Sequence, residues 1–144
     1  MSAKRRRSRG QALVELALLT PILILIVGGI AESGVALNTY LQLSNASREG
    51  ARAGILVPEE TSYIDRAAKR ELPASIASNT VVTVDCAPAG TTSWGSCLSV
   101  YLPARGDLIR VTTSYTYQPM IPPINGLTSF IALTMQTNTI MKAS

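Results

Sequence analysis

The stretch GQALVELALLTPILILIVGGIA, residues 10–31, decides how this chain is built. From Ala12 to Ala31 it carries one ionisable group, Glu15. At a rise of 1.5 Å per residue such a run is about 30 Å long as a helix, the thickness of a bilayer's hydrocarbon core. Pro21 removes one backbone donor, an interruption that membrane helices tolerate when neighbouring groups re-satisfy the freed carbonyl. Just upstream lie Lys4, Arg5, Arg6, Arg7 and Arg9, and few basic residues follow the run closely. The positive-inside rule then places Met1 in the cytoplasm and everything after about Glu32 outside. The chain reads as a single-pass membrane protein in contact with lipid.

Downstream, Val35, Leu37, Leu41 and Leu43, followed by Ala46, Ala51 and Ala53, predict that the same helix continues as an amphipathic extension to about Gly54. Glu49 and Arg52, three apart, are spaced to pair on it. Gly54 and Pro58 are its stop signals. A shorter second helix is expected at about Glu59–Leu72, with Ile64, Ala67, Ala68 and Leu72 on one face and Pro73 ending it. The period then becomes two. Thr80–Cys86 and Leu98–Leu102 read as strands around a Gly/Ser/Thr-rich loop, and Asp107–Gln118 alternates with Ile109, Val111, Thr113, Tyr115 and Tyr117 on one side. After a Pro-rich connection a last strand is expected at about Ile131–Met141. The predicted class is α+β: a long N-terminal transmembrane helix with an amphipathic extension, a short second helix and a small antiparallel β-sheet. Residues 1–10 would be a cytoplasmic basic leader, 11–34 the transmembrane helix, and 35–144 the extension plus an extracytoplasmic α+β domain.

The formal charge of +4 misleads, because five of the 13 basic residues lie in the first ten positions. Without them eight basic residues face nine acidic ones, which leaves no basic patch for phosphates and argues against nucleic acid as a partner. The chain has no histidine. It thus lacks the commonest general base and metal ligand, and no nucleophile–base pair can be assembled from what remains. No catalytic residue, metal, cofactor or small-molecule substrate is expected. Cys86 and Cys97 match no zinc spacing. On the outer side of a membrane a disulfide is the expected state, and closing so short a ring would contribute roughly 3 kcal/mol.

The junction Arg9-Gly10-Gln11-Ala12-Leu13-Val14-Glu15 carries the mechanistic content. A secretory signal has its small-residue cleavage site after the apolar run. Here the glycine precedes the run. Cleavage between Gly10 and Gln11, on the cytoplasmic side, would remove the charges and leave the anchor in the bilayer. Glu15 inside an apolar helix costs up to about 2.5–3.5 kcal/mol at the bilayer centre and less near its surface. A new α-amino group at Gln11, on the same or a neighbouring subunit, would offset that cost and set axial register.

Taken together, these residues resemble a known family. Gly10-Gln11 followed by Glu15 is similar to the processing site of type IV pilin-like proteins. The string from Arg9 to Leu18 with Pro21, and the segment Ser44-Asn45-Ala46-Ser47-Arg48-Glu49-Gly50-Ala51-Arg52, resemble TadE-like pseudopilins of the tight-adherence (Flp, type IVb) pilus system. So does the tail, where Gly106-Asp107 opens a Val/Thr/Tyr strand followed by Pro119 and Pro122. Leu16 stands where that site often has an aromatic. The resemblance implies a pilin-like fold and a minor subunit in a bacterial inner membrane. It also implies cutting by a prepilin peptidase, and partnership with other pilin-like subunits and the assembly platform of a surface pilus used in adhesion.

Other readings of the same residues remain open. An uncleaved signal anchor would make the chain a membrane-anchored extracytoplasmic binding module, with the Cys86–Cys97 loop and Trp94 as its contact surface. Conventional signal-peptidase cleavage after Gly29-Ile30-Ala31 would release residues 32–144. Arg5-Arg6 and Arg6-Arg7 suggest a twin-arginine signal, but the hydrophobic residues expected just after the pair are absent. Arg105-Gly106-Asp107 spells a receptor-binding tripeptide, though a Gly-Asp turn explains it better. Asn45-Ala46-Ser47 is a formal sequon on a predicted helix. Gly28, Gly29, Ser33 and Gly34 either allow close helix approach or loosen the helix. Trp94 is either an exposed contact or a small satellite core.

Overall fold

The computed structural model describes residues 5–97, 106–119 and 133–143, with side chains from Gly10 onward. Helix α1 spans Arg5–Leu56. At 1.5 Å per residue it is about 78 Å long, more than twice the hydrocarbon thickness of a bilayer. Its two halves have different surroundings. In the N-terminal half an 18-residue window of mean hydropathy 2.5 has none of its residues buried in the chain, and Leu13, Leu18, Ile24 and Ile30 stand exposed on all sides. A helix that is apolar all round and uncovered by protein is long and apolar enough to cross a membrane. Pro21 lies inside it without ending it. Nearby hydroxyls are satisfied within the helix: Thr20 donates to the Leu16 carbonyl at 2.7 Å and Ser33 to the Gly29 carbonyl at 2.8 Å.

The C-terminal half of α1 carries the domain. Helices α2 (Thr61–Arg70) and α3 (Ala74–Ala77) are followed by strands β1 (Thr80–Ala87), β2 (Gly95–Ser96), β3 (Leu108–Tyr117) and β4 (Leu133–Lys142). The strands pair antiparallel in the order β2-β1-β3-β4. This is the expected α+β architecture of one long helix, short helices and a small antiparallel sheet. Ile109, Val111 and Thr113 of β3 are fully buried on the face toward α1, beside Leu43 and Ala46 of α1 and Ile64 and Ala68 of α2.

Close packing depends on small residues. A Cβ at Gly50 would lie 3.0 Å from Val111 Cγ1 and 3.1 Å from Ala68 Cβ. At Gly54 it would lie 3.3 Å from Ile109 Cγ2 and 3.4 Å from Ile64 Cδ1. Gly54 is therefore not the stop signal expected from sequence. Its bare Cα admits two isoleucines, and the helix runs on to Leu56. Hydroxyls knit the same surface: Thr113 donates to the Leu43 carbonyl at 3.1 Å and meets the Thr137 hydroxyl at 2.8 Å, while Ser47 and Thr139 meet at 2.8 Å.

These contacts fix a direction. Tyr117 meets Glu32, Thr113 meets Leu43, and the bare Cα positions of Gly50 and Gly54 lie against Val111 and Ile109. Strand β3 thus runs antiparallel to α1, from the distal tip back to the end of the apolar stretch. By the pairing registers β1 and β4 run the opposite way.

Three expectations are corrected. Val35, Leu37 and Leu41 are exposed; the packed stripe is Thr39, Leu43, Ala46, Ser47 and Gly50, because the sheet approaches where side chains are small. The second helix, Thr61–Arg70, falls within two residues of the expected bounds at each end, but Pro73 caps α3 instead of ending that helix, its carbonyl accepting from Ile76 and Ala77 at 2.9 Å. Glu49 and Arg52 form no ion pair. Among the described residues the ion pairs are Asp65–Lys69 at 2.9 Å and Asp85–Arg110 at 2.7 Å. Next to β1 the structure has the short β2, and the expected strand Leu98–Leu102 lies outside the described residues.

Candidate functional site

Gly10, Gln11 and Glu15 lie in the first turns of α1, all exposed. Arg5, Arg6, Arg7 and Arg9 begin the helix; Lys4 lies outside the described residues. A Cβ on Gly10 would meet nothing within 4 Å, so folding within the chain does not require a glycine there. Gln11 and Glu15 are one helical turn apart and share a face, with a rise of about 6 Å between them. Among the described residues Glu15 has no ion-pair partner. Two turns further on, Ala17, Thr20, Pro21, Ile24 and Leu25 line a shallow apolar recess beside the proline. Gly29 and Gly34 face open space.

The cysteine pair lies at the other end of the molecule. Cys86 of β1 is bonded to Cys97 just past β2, with Cα atoms 5.0 Å apart. Both are buried beside Ile109 and Ile64. The N-terminal motif and the disulfide loop do not meet.

The loop's aromatic residue is resolved by its neighbours. The Arg110 guanidinium sits 4.3 Å from the centroid of the Trp94 ring. The same guanidinium donates to Asp85 Oδ2 through Nε at 3.2 Å and Nη2 at 2.7 Å. Half-buried Trp94 thus forms a small stack on the sheet face away from α1. The Arg105-Gly106-Asp107 tripeptide is a turn in the described part. Gly106 has φ of +104°, and Asp107 is 4% exposed with its Oδ1 accepting from Ala89 N–H at 3.0 Å. The main chain closes on Ala143 through bonds of 2.9 and 2.7 Å. In the sequon Asn45-Ala46-Ser47, Ser47 is turned into the core.

One contact had no signal in the sequence. The Tyr117 phenol donates to Glu32 Oε1 across 85 positions of chain. Burial, and then the bond to Glu32, push the Tyr117 pKa up to about 12. Glu32 is the first acid after the apolar stretch and Tyr117 the last residue of the alternating strand. Only the fold brings them together.

With this geometry in place, comparison with known proteins gives one result. The family model described as TadE-like protein matches residues 10–52, the bare half of α1 and the extension through Arg52. No curated protein and no solved structure matches the chain.

Proposed function

We propose, from the premise that residues 10–52 are TadE-like and tie the chain to the Tad pilus, that it is a minor pilin-like subunit contributing to assembly of that pilus. In this reading a prepilin peptidase cuts between Gly10 and Gln11. The cut chain stays in the bacterial inner membrane through α1, with its α+β domain outside. The α-amino group of Gln11 lies within a turn of Glu15 and of the same group on adjoining subunits, and gives that carboxylate its counter-charge. The recess at Pro21 receives an adjoining pilin-like helix. The chain performs no catalysis of its own and takes no cofactor.

The observation that carries this reading is a coincidence of limits. The family match begins at Gly10, directly after the basic run that ends at Arg9 and two residues before the apolar stretch opens at Ala12. Mass spectrometry of the mature N-terminus tests it. A start at Gln11 supports the subunit, and precursor should accumulate in Gly10→Ala, which has room for its methyl group. An intact N-terminus would instead make the chain an uncleaved anchored module, and a start at Glu32 would remove the anchor altogether.

A further inference from the structure

Charge is sorted along the long axis of the domain. After Glu32, α1 carries no charged residue until Arg48. The same holds for Pro73–Val84 through α3 and most of β1, for Val111–Pro119 in β3, and for Leu133–Met141 in β4. In β4 the uncharged run continues along the whole sheet to Met141, opposite Ile109, and together these segments leave the end of the domain nearest Glu32 without described charge other than Glu32 itself. Ala36, Leu43, Ile76, Ala77, Tyr115, Tyr117 and Met135 cluster there, and Tyr117 reaches Glu32 beside the bare helix. The described charges other than Glu32 belong to the opposite half or to the start of α1, among them Arg48, Glu49, Arg52, the charged residues of α2, Asp85, Arg110 and Lys142. Apolar side chains stand exposed at the uncharged end: Val35, Leu37, Tyr40 and Leu41 on α1, and Leu133 at the start of β4.

Water does not explain this arrangement. A soluble domain on a stalk gains solubility from charge on every face, and exposed leucines beside a charge-free surface cost free energy. A bilayer surface accepts such a face. Its interfacial zone adds about 5–8 Å to each side of the hydrocarbon core, and it favours amphipathic aromatic groups, tryptophan and tyrosine. Val35 and Leu37 lie about 4 to 8 Å beyond Glu32 along α1, within that zone if the apolar stretch spans the core. The occupant of this end is set by continuity, because the helix that crosses the bilayer enters the domain there.

We infer that the uncharged end of the domain, with Leu37 and Leu133 at its rim, rests in the headgroup region of the membrane that α1 crosses. The Tyr117–Glu32 bond ties the sheet to the helix at that level. The domain is seated on the lipid surface, and its charged tip with Trp94 points away. This rests on the reading of α1 as membrane-spanning, and the test separates the two.

The full chain is reconstituted in liposomes containing lipids brominated either near the headgroup or deep in the acyl chain. Tryptophan fluorescence is read from the native Trp94, and from Leu133→Trp, Leu37→Trp and Leu23→Trp in a Trp94→Phe background. Shallow bromine should quench the probes at 133 and 37 about twofold, as expected for interfacial tryptophans, and leave Trp94 unquenched. Deep bromine should quench the probe at 23. If the probe at 23 is quenched while those at 133 and 37 are not, the seated domain is overturned and the spanning helix stands. If Trp94 is quenched as strongly as the probes at 133 and 37, the inferred orientation is wrong. If the probe at 23 escapes quenching, the spanning helix and the inference fall together.

Discussion

Tyr117 couples burial to a hydrogen bond, and its titration follows from both. Its folded pKa, about 12, lies above the ordinary phenol value of 10.0, so the folded state holds the proton more tightly than the unfolded chain does. That contribution is complete below pH 10 and is lost as pH rises toward 12. Tyr117→Phe should cost about 1 kcal/mol at pH 7 by leaving Glu32 one donor short. It should also flatten the loss of stability above pH 10, as read by denaturant titration in detergent at stepped pH. The glycines divide in a similarly direct way. Gly50→Ala places a methyl 3.0 Å from Val111 Cγ1 and 3.1 Å from Ala68 Cβ, an overpacking worth about 1–3 kcal/mol, against about 1 kcal/mol regained in helix propensity. A net loss is expected. Gly54→Ala, with contacts of 3.3 and 3.4 Å, should come out near neutral in the same melts. Gly10→Ala meets nothing and should leave the fold of the domain unchanged, so any effect of that variant on processing reports the peptidase.

Among the elements, β2 is the most dependent on covalent support. It pairs with β1 through two residues, and the Cys86–Cys97 bond holds it in place. Removing the bond by Cys86→Ala with Cys97→Ala should cost roughly 3 kcal/mol. Hydrogen exchange should rise first at residues 85–97, before the β1–β3 ladder. How far each element could be read from sequence follows from how local its determinants are. The bare half of α1 was legible because its determinant is a contiguous run of apolar side chains. Strand β3 was legible because its buried residues, Ile109, Val111 and Thr113, recur at a strict period of two. The role of Gly54 was misread because its packing depends on Ile64 and Ile109, which only the fold brings near. The stack of Trp94 on Arg110 and the bond from Tyr117 to Glu32 were invisible for the same reason. Of the candidate site, the disulfide was fully legible from cysteine count and side of the membrane. The part proposed for Glu15 lies between chains and is not expressed within one.

For the whole molecule the decisive property is that one helix serves two environments in succession. Residues 12–31 have no protein around them, whereas from Thr39 to Gly54 one face is buried under the sheet and α2. External protease on reconstituted vesicles should therefore spare the helix through the bilayer and leave a fragment that retains Gly10 or, after processing, Gln11; mass spectrometry of that fragment checks topology and cleavage together. The lengthwise run of the strands along α1 has a mechanical side. If tension enters at the tip of the domain and leaves through the anchored helix, it acts nearly parallel to β1, β3 and β4. Eight paired positions between β1 and β3 and ten between β3 and β4 are then strained in shear, together, instead of being peeled apart one by one. Pulled this way, the domain should yield at far higher force than when pulled across the sheet, and it would transmit a load on the tip to the membrane with little extension.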